Sequence, residues 1–578
     1  PNFISQDGVL FTAEFAQLVS FPKESIMSDY QVPLGVNTIR ADAFLGASDL
    51  FNVTLPEGLT SIGESAFLTC KGLTSISIPP LIRRLEAQTF VNCSGLVEIT
   101  IPANVEFMGE SVFGGSSTVE WIYVDEGNQY FTSIEGVLFS KDQTRLLKYP
   151  VGSESVSYAF PGGVETIDKW AFYNSALESI ILPASLRHIG NGAFELCRSL
   201  KQINLPNEFS FVGESAFRQC WELESITIPT SLSYLGDQVF EACNTLQTLT
   251  IPGNINSIGD QAFRYCYKLK SVEMNPGVEF IGNGAFQECF ALSNLQLPTG
   301  LIRIADKAFR NCESLQKLEI PEGIVSIGDE AFFDCRTIQR VRFPGSLDSI
   351  GQSAFDNCQA LENIEFKEGL RSIGFWGFSS CESLITIVLP ESLKMIDHAA
   401  FASCLNLENV YFLGDAPITG EGFISDSIFD EVNESATVYY FDSASGFTSP
   451  TWADLPTVQL EQLSEGQIWL IKNQLFHETD LDSDPFETGL PLFVNYGLNQ
   501  LPGNYDPPRV GRSGDQLSYQ FFGDRSELTY LVEISKDLNL WSSGGVTLSE
   551  ADGEGFRTAS FNLDDDGRCF VRFRFEQE

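Results

Sequence analysis

Residues 189–211 read IGNGAFELCRSLKQINLPNEFSF, residues 212–234 read VGESAFRQCWELESITIPTSLSY, and residues 235–257 read LGDQVFEACNTLQTLTIPGNINS. Ten cysteines keep the beat: Cys197, Cys220, Cys243, Cys266, Cys289, Cys312, Cys335, Cys358, Cys381 and Cys404, each 23 residues after the last. A fixed period in the twenties marks a solenoid, whose coils touch only their neighbours and bury together an apolar flank that none could bury alone.

The unit can be written L-x-x-I-x-I-P-x-x-(I/V/L)-x-x-I-G-x-x-A-F-x-x-C. Phe44, Phe67, Phe90 and Phe113 carry it first, then Phe172, Phe194 and every 23rd residue to Phe401. The alternation in L-x-x-I-x-I predicts a short strand with one buried face. Proline ends the ladder because it lacks an N–H, as at Pro56, Pro79, Pro102, Pro183, Pro206, Pro229 and Pro252. Ile-Gly is expected to turn the chain. The stretch from Gly to Cys, such as Gly259 to Cys266, is expected to form about two turns of helix behind a polar start. Stacked at ~4.8 Å, roughly 15 coils plus insertions would make a curved rod on the order of 80 Å long.

This pattern resembles the BspA-like leucine-rich repeats of bacterial surface and secreted proteins, over about residues 1–413. The resemblance implies an α/β solenoid, a right-handed leucine-rich-repeat rod of 23-residue coils with a parallel β-sheet on its concave face. Departures touch single coils: Lys367 replaces the proline, Gly377 replaces the alanine, and the cysteine is missing after Phe44, Phe113 and Phe172.

Residues 1–44 repeat residues 129–172 at a constant offset of 128: Asp7-Gly8-Val9-Leu10-Phe11 matches Glu135-Gly136-Val137-Leu138-Phe139, and Phe21-Pro22 matches Tyr149-Pro150. Each copy reads as a hairpin-like insertion, at 1–33 and 119–161, that returns to the regular coil. The chain is therefore expected to open partway through a longer module whose upstream coils are missing. Residues 414–457 are expected to cap the solenoid, which would otherwise expose core and strand edges. A linker is expected at 458–466. Residues 467–578 alternate apolar and polar residues in runs such as Leu517–Phe522 and Tyr530–Ser535, predicting a small C-terminal antiparallel β-sandwich-like domain. That region resembles a domain appended to many secreted bacterial proteins, which implies secretion.

Across 578 residues, 35 basic side chains face 77 acidic ones, a net charge of −42. Such a surface argues against nucleic acid and anionic lipid as partners. No apolar run is long enough to span a bilayer, so membrane insertion is not expected.

The cysteine column is expected to hold free, buried, weakly polar thiols, with a disulfide framework or a metal ladder as the alternatives. His188 and His398 lack a repeated acidic or nucleophilic companion, and they and His477 are expected to be surface residues. No hydrolase, metalloprotease, P-loop or dinucleotide fingerprint occurs, so neither catalysis nor a cofactor is expected. Asp480-x-Asp482-x-Asp484 begins like a calcium loop, but Pro485 stands where the turn needs glycine, leaving a weak calcium candidate.

Solenoids recognise partners through aligned outward residues of the sheet. Two groups stand out there. Trp121 and Tyr123 place large aromatics on a face rich in Ser and Thr, unless the 125–160 insertion folds over and buries them. Lys317, Glu319, Arg340, Arg342, Asn363 and Glu365 form a charged set in which Glu319, Arg342 and Glu365 should sit side by side. This set reads either as a cross-strand ion ladder or as an anchor for a ligand. The expected protein is secreted or held at the cell surface and binds an extracellular protein or glycan. A structural spacer, or an enzyme with its site in 467–578, are the competing readings.

Overall fold

The computed structural model describes residues 2–419 and 428–460 of the chain, together with six strands beyond them. The repeated part is a parallel β-solenoid in which each regular coil contributes two strands. The longer strand is the expected one; Gln202–Asn204 pairs with Ser225–Thr227, and Thr248–Ile251 pairs with Ser271–Met274. The shorter strand covers two residues and in most coils ends on the isoleucine of Ile-Gly, as Ser257–Ile258 does. Nine of these, from Tyr234–Leu235 to Ile418–Thr419, form one parallel sheet. The isoleucine thus belongs to a second sheet rather than to a turn. The glycine after it answers to crowding between coils: a Cβ on Gly259 would lie 2.7 Å from the Asp237 backbone nitrogen.

The stretch from Gly to Cys is not helical, and no helix occurs among the described residues. Backbone hydrogen bonding explains this. In the coil ending at Cys266, the N–H groups of Ala262, Arg264 and Cys266 close tight turns onto Gly259, Gln261 and Phe263. The alternate N–H groups, of Gln261, Phe263 and Tyr265, donate instead to Asn283, Ala285 and Gln287 in the next coil, at 2.8–2.9 Å. A helix would turn every N–H inward and forfeit these bonds. Holding the alternation requires left-handed residues at two points, Gln261 (φ 57°) and Tyr265 (φ 63°), and the same two columns recur along the array. Each costs about 1–2 kcal/mol for a residue with a side chain. The cross-coil bonds, worth about 1 kcal/mol apiece, and the stacked core offset that cost.

The core is a file of phenylalanines. Phe217, Phe240 and Phe263 stack with ring centroids 5.4 and 5.5 Å apart, and the file continues through Phe286, Phe309, Phe332, Phe355 and Phe378 to Phe401. Beside it run the cysteines. All twelve in the described residues are free and buried, as expected. Each thiol donates to the carbonyl of the phenylalanine one coil back, as Cys220 does to Phe194 at 3.2 Å. Ser116, which stands in the cysteine column, makes the same bond to Phe90 at 2.7 Å. The column therefore holds a small side chain, which donates this hydrogen bond where it is Cys or Ser116 and cannot where it is Ala47.

The two related insertions fold alike. Phe3–Gln6, Val9–Thr12 and Gln17–Ser20 form an antiparallel meander, reproduced by Phe131–Ile134, Val137–Ser140 and Arg145–Lys148. Both carry a register shift at the same place, after Leu10 and after Leu138. In each, the third strand passes into the short-strand sheet through a parallel partner. The second insertion divides the molecule. Phe131 and Leu138 pack with the core that precedes it, whereas Val137 and Phe139 pack with the core that follows. Both sheets are interrupted there: Trp121–Val124 pairs only with Glu98–Ile101, and the long strands restart at Ser157–Ala159.

At the far end, Thr437–Phe441 and Leu455–Leu460 add in parallel to Asn409–Phe412, extending the long-strand sheet over the last coil. The strands beyond are antiparallel. Arg509–Ser513, Gln516–Phe522, Phe556–Asn562 and Thr547–Leu548 form one sheet, and Leu528–Ser535 pairs with Phe570–Gln577 in another.

Candidate functional site

The outward side chains of the long-strand sheet lie in straight rows because parallel pairing repeats every coil in register. Lys317, Arg340 and Asn363 share one row; Glu319, Arg342 and Glu365 share the next, side by side as the repeat predicts. Together with Leu318, Gln339 and Glu362 these residues line a cleft of about 400 Å³, Glu365 alone standing outside its wall.

Charge within the cleft is only partly matched. Arg342 Nε lies 2.9 Å from Glu365 Oε2, both side chains being about a quarter to a third exposed. The N–H does not point at that oxygen, however, and Arg342 Nε has no hydrogen-bond partner. Asn363 Oδ1 is likewise buried without a partner. Of five such side-chain atoms among the described residues, two therefore sit in this one cleft. Lys317 and Arg340, on adjacent strands, form no ion pair there either. Like charges placed opposite one another are unfavourable. The expected ion ladder is thus a single pair, Arg342 with Glu365, flanked by uncompensated groups. Gln339 and Glu362 were missed from sequence because they immediately precede their strands and fall outside the x-I-x-I alternation.

Trp121 and Tyr123 are 42 % and 45 % exposed, so the insertion does not bury them. It lies beside them: a Cβ on Gly136 would sit 2.9 Å from the Trp121 ring, and the Ile122 N–H donates to the Gly136 carbonyl at 3.2 Å. The two rings are 5.9 Å apart. They occupy the sheet before the insertion, so the structure does not unite them with the charged cleft in the sheet of Lys317–Glu319.

The other sequence candidates stay dispersed. His188 faces outward from the short-strand sheet, 6.2 Å from the Phe211 ring, whereas His398 Nδ1 lies 2.7 Å from Asp397. Among the described residues no three His, Cys, Asp or Glu side chains converge as metal ligands. Burial pushes the Cys197 and Cys266 thiols up to about 12, which keeps them protonated donors. His477 and the calcium candidates Asp480, Asp482 and Asp484 lie outside the described residues. No described helix is long and apolar enough to cross a membrane.

The family model described as "BspA type Leucine rich repeat region" matches residues 19–144, 165–293, 279–408 and 327–445. Among solved structures, a leucine-rich repeat protein from Bacteroides ovatus is 25 % identical with a TM-score of 0.43, covering 68 % of this chain and 93 % of its own. A leucine rich cell surface protein from Faecalibacterium prausnitzii is 24 % identical with a TM-score of 0.34, covering 64 % and 86 %. The pneumococcal vaccine antigen PcpA is 21 % identical with a TM-score of 0.40, covering 64 % and 88 %. No curated protein matches the chain.

Proposed function

This chain belongs to the BspA-type leucine-rich repeat family, and from that premise we propose that it recognises another protein through its long-strand sheet, outside the cell or at its surface. The role is adhesive and involves no chemistry. The observation that carries this reading is the cleft of Lys317, Arg340, Arg342 and Asn363, where buried polar atoms and neighbouring cations lack partners. An unsatisfied buried polar group costs about 1–3 kcal/mol, and a partner that supplies the missing contacts recovers it on binding. Of the five such atoms among the described residues, those of Asn244, Arg264 and Asn311 lie outside the cleft, whereas Arg342 Nε and Asn363 Oδ1 share it. Trp121 and Tyr123, open to solvent on the same kind of sheet, supply a second, aromatic contact.

The test is a pull-down of extracellular proteins on the full chain, followed by binding isotherms with the captured partner. Replacing both Lys317→Ser and Arg340→Ser should weaken saturable binding at least about tenfold while leaving the melting temperature within a degree or two. Unchanged binding by that variant, or no saturable partner for the parent chain, would reject the reading.

A further inference from the structure

The interruption at the second insertion leaves a cleft of about 340 Å³, within the range of small-molecule sites. Met108, Val112 and Phe113 of the preceding core, with Leu147 packed against it, line one side; Ile167 of the following core and Trp170 line the other. Two ion pairs edge it. Arg145 Nη2 lies 2.9 Å from both carboxylate oxygens of Asp168, and Lys169 Nζ lies 2.9 Å from Glu110 Oε2 across the junction. His188 completes the polar lining.

Lys148 also lines the cleft, and it is the charge left over. The residue is 4 % exposed, donates from Nζ to the Trp170 carbonyl at 3.2 Å, and pairs with no carboxylate among the described residues. Burying an ammonium without a counter-ion costs several kcal/mol. Burial accordingly lowers Lys148 to about 8. The insertion itself does not need a lysine here. In the first copy, offset by 128, the corresponding residue is Ser20, and the strands pair with the same register shift.

We propose that this cleft binds a small organic acid, its carboxylate against the Lys148 ammonium and its alkyl or aryl body against Phe113, Leu147 and Trp170. The apolar walls take the body, and the two rim pairs are already neutralised, which leaves Lys148 as the cation awaiting an anion. This site is separate from the charged cleft on the long-strand sheet, so either can fail without the other.

The experiment titrates the full chain calorimetrically with a panel of medium-chain alkanoates and arylalkanoates, each beside its neutral carboxamide. At least one acid should bind, and its amide should bind roughly tenfold to a hundredfold more weakly, the loss expected for a hydrogen bond to a charged group. Lys148→Met should abolish that preference while melting at or above the parent temperature. Should the variant not fold, the comparison of acid with amide on the parent chain still decides. No binding by any acid, equal binding of acid and amide, or an acid preference surviving in Lys148→Met would overturn the proposal.

Discussion

Replacing Phe263 by alanine probes the stacking on which the rod depends. Phe263 is fully buried, with the Phe240 ring 5.5 Å away on one side and the Phe286 ring 5.2 Å away on the other. Truncating a buried phenylalanine costs about 3–5 kcal/mol through lost transfer energy and an unfilled cavity. Two aromatic contacts worth about 0.5–1.5 kcal/mol each go with it and place the expected value toward the upper end of that range. In a solenoid each coil touches only its neighbours, so the damage should be local. Urea denaturation should show the lost stability. Hydrogen exchange should show protection lost first at Phe240 and Phe263, whose N–H groups bond to Ala262 and Ala285, while Phe67 keeps its bond to Thr89 and its protection. Phe280→Ala serves as control, because that ring is 49 % exposed on the short-strand sheet and should cost less than about 1 kcal/mol. Equal losses for the two variants, or uniform loss of protection along the rod, would refute the stacking argument.

Other consequences follow from the same geometry. Gly259→Ala should destabilise by about 1–3 kcal/mol because the new methyl would meet the Asp237 and Gly236 backbones at 2.7 Å, whereas Gly236→Ala, whose nearest neighbour is the Glu214 nitrogen at 3.5 Å, should be tolerated; paired thermal melts compare them. Burial raises the column thiols, Cys197 and Cys266 from 9.0 to about 12, so folding favours their protonated form. Their contribution is fully present below pH 9 and is lost as pH climbs from there toward 12, giving a fall in melting temperature above pH 9 that substitution of the column by serine should flatten. Cys220→Ser should preserve the bond to the Phe194 carbonyl as Ser116 does for Phe90, and Cys220→Ala should lose about 1 kcal/mol in urea titrations.

The long strand, the phenylalanine file and the paired insertions were legible because each rests on one signal, a side-chain pattern repeated in register. The helix expectation failed for a definite reason. Ala262, Phe263 and Cys266 fall at spacings that also suit one face of a helix, so side chains alone cannot separate a helix from a ladder of tight turns. The separating signal lay in the residue before the cysteine. Asn92, Asn311, Asp334 and Asn357 occupy a left-handed column there, and Gly115 stands in it too. These residue types tolerate that conformation best. The rows of the charged cleft were legible from the repeat, but the misaimed Arg342 N–H and the unpartnered Asn363 oxygen depend on side-chain geometry that no spacing encodes. Lys148 was invisible for a similar reason. In Arg145-Leu146-Leu147-Lys148 it reads as the polar end of a strand, and only the packing of two cores around the insertion buries it.

The proposed recognition surface is tested most directly by covalent footprinting of the full chain with and without its captured protein partner. The account predicts protection of Lys317, Glu319 and Glu362, with Tyr234 on the short-strand sheet labelled equally in both states. Protection confined to the short-strand sheet, with the Lys317–Glu362 cleft still fully labelled in the complex, would contradict it.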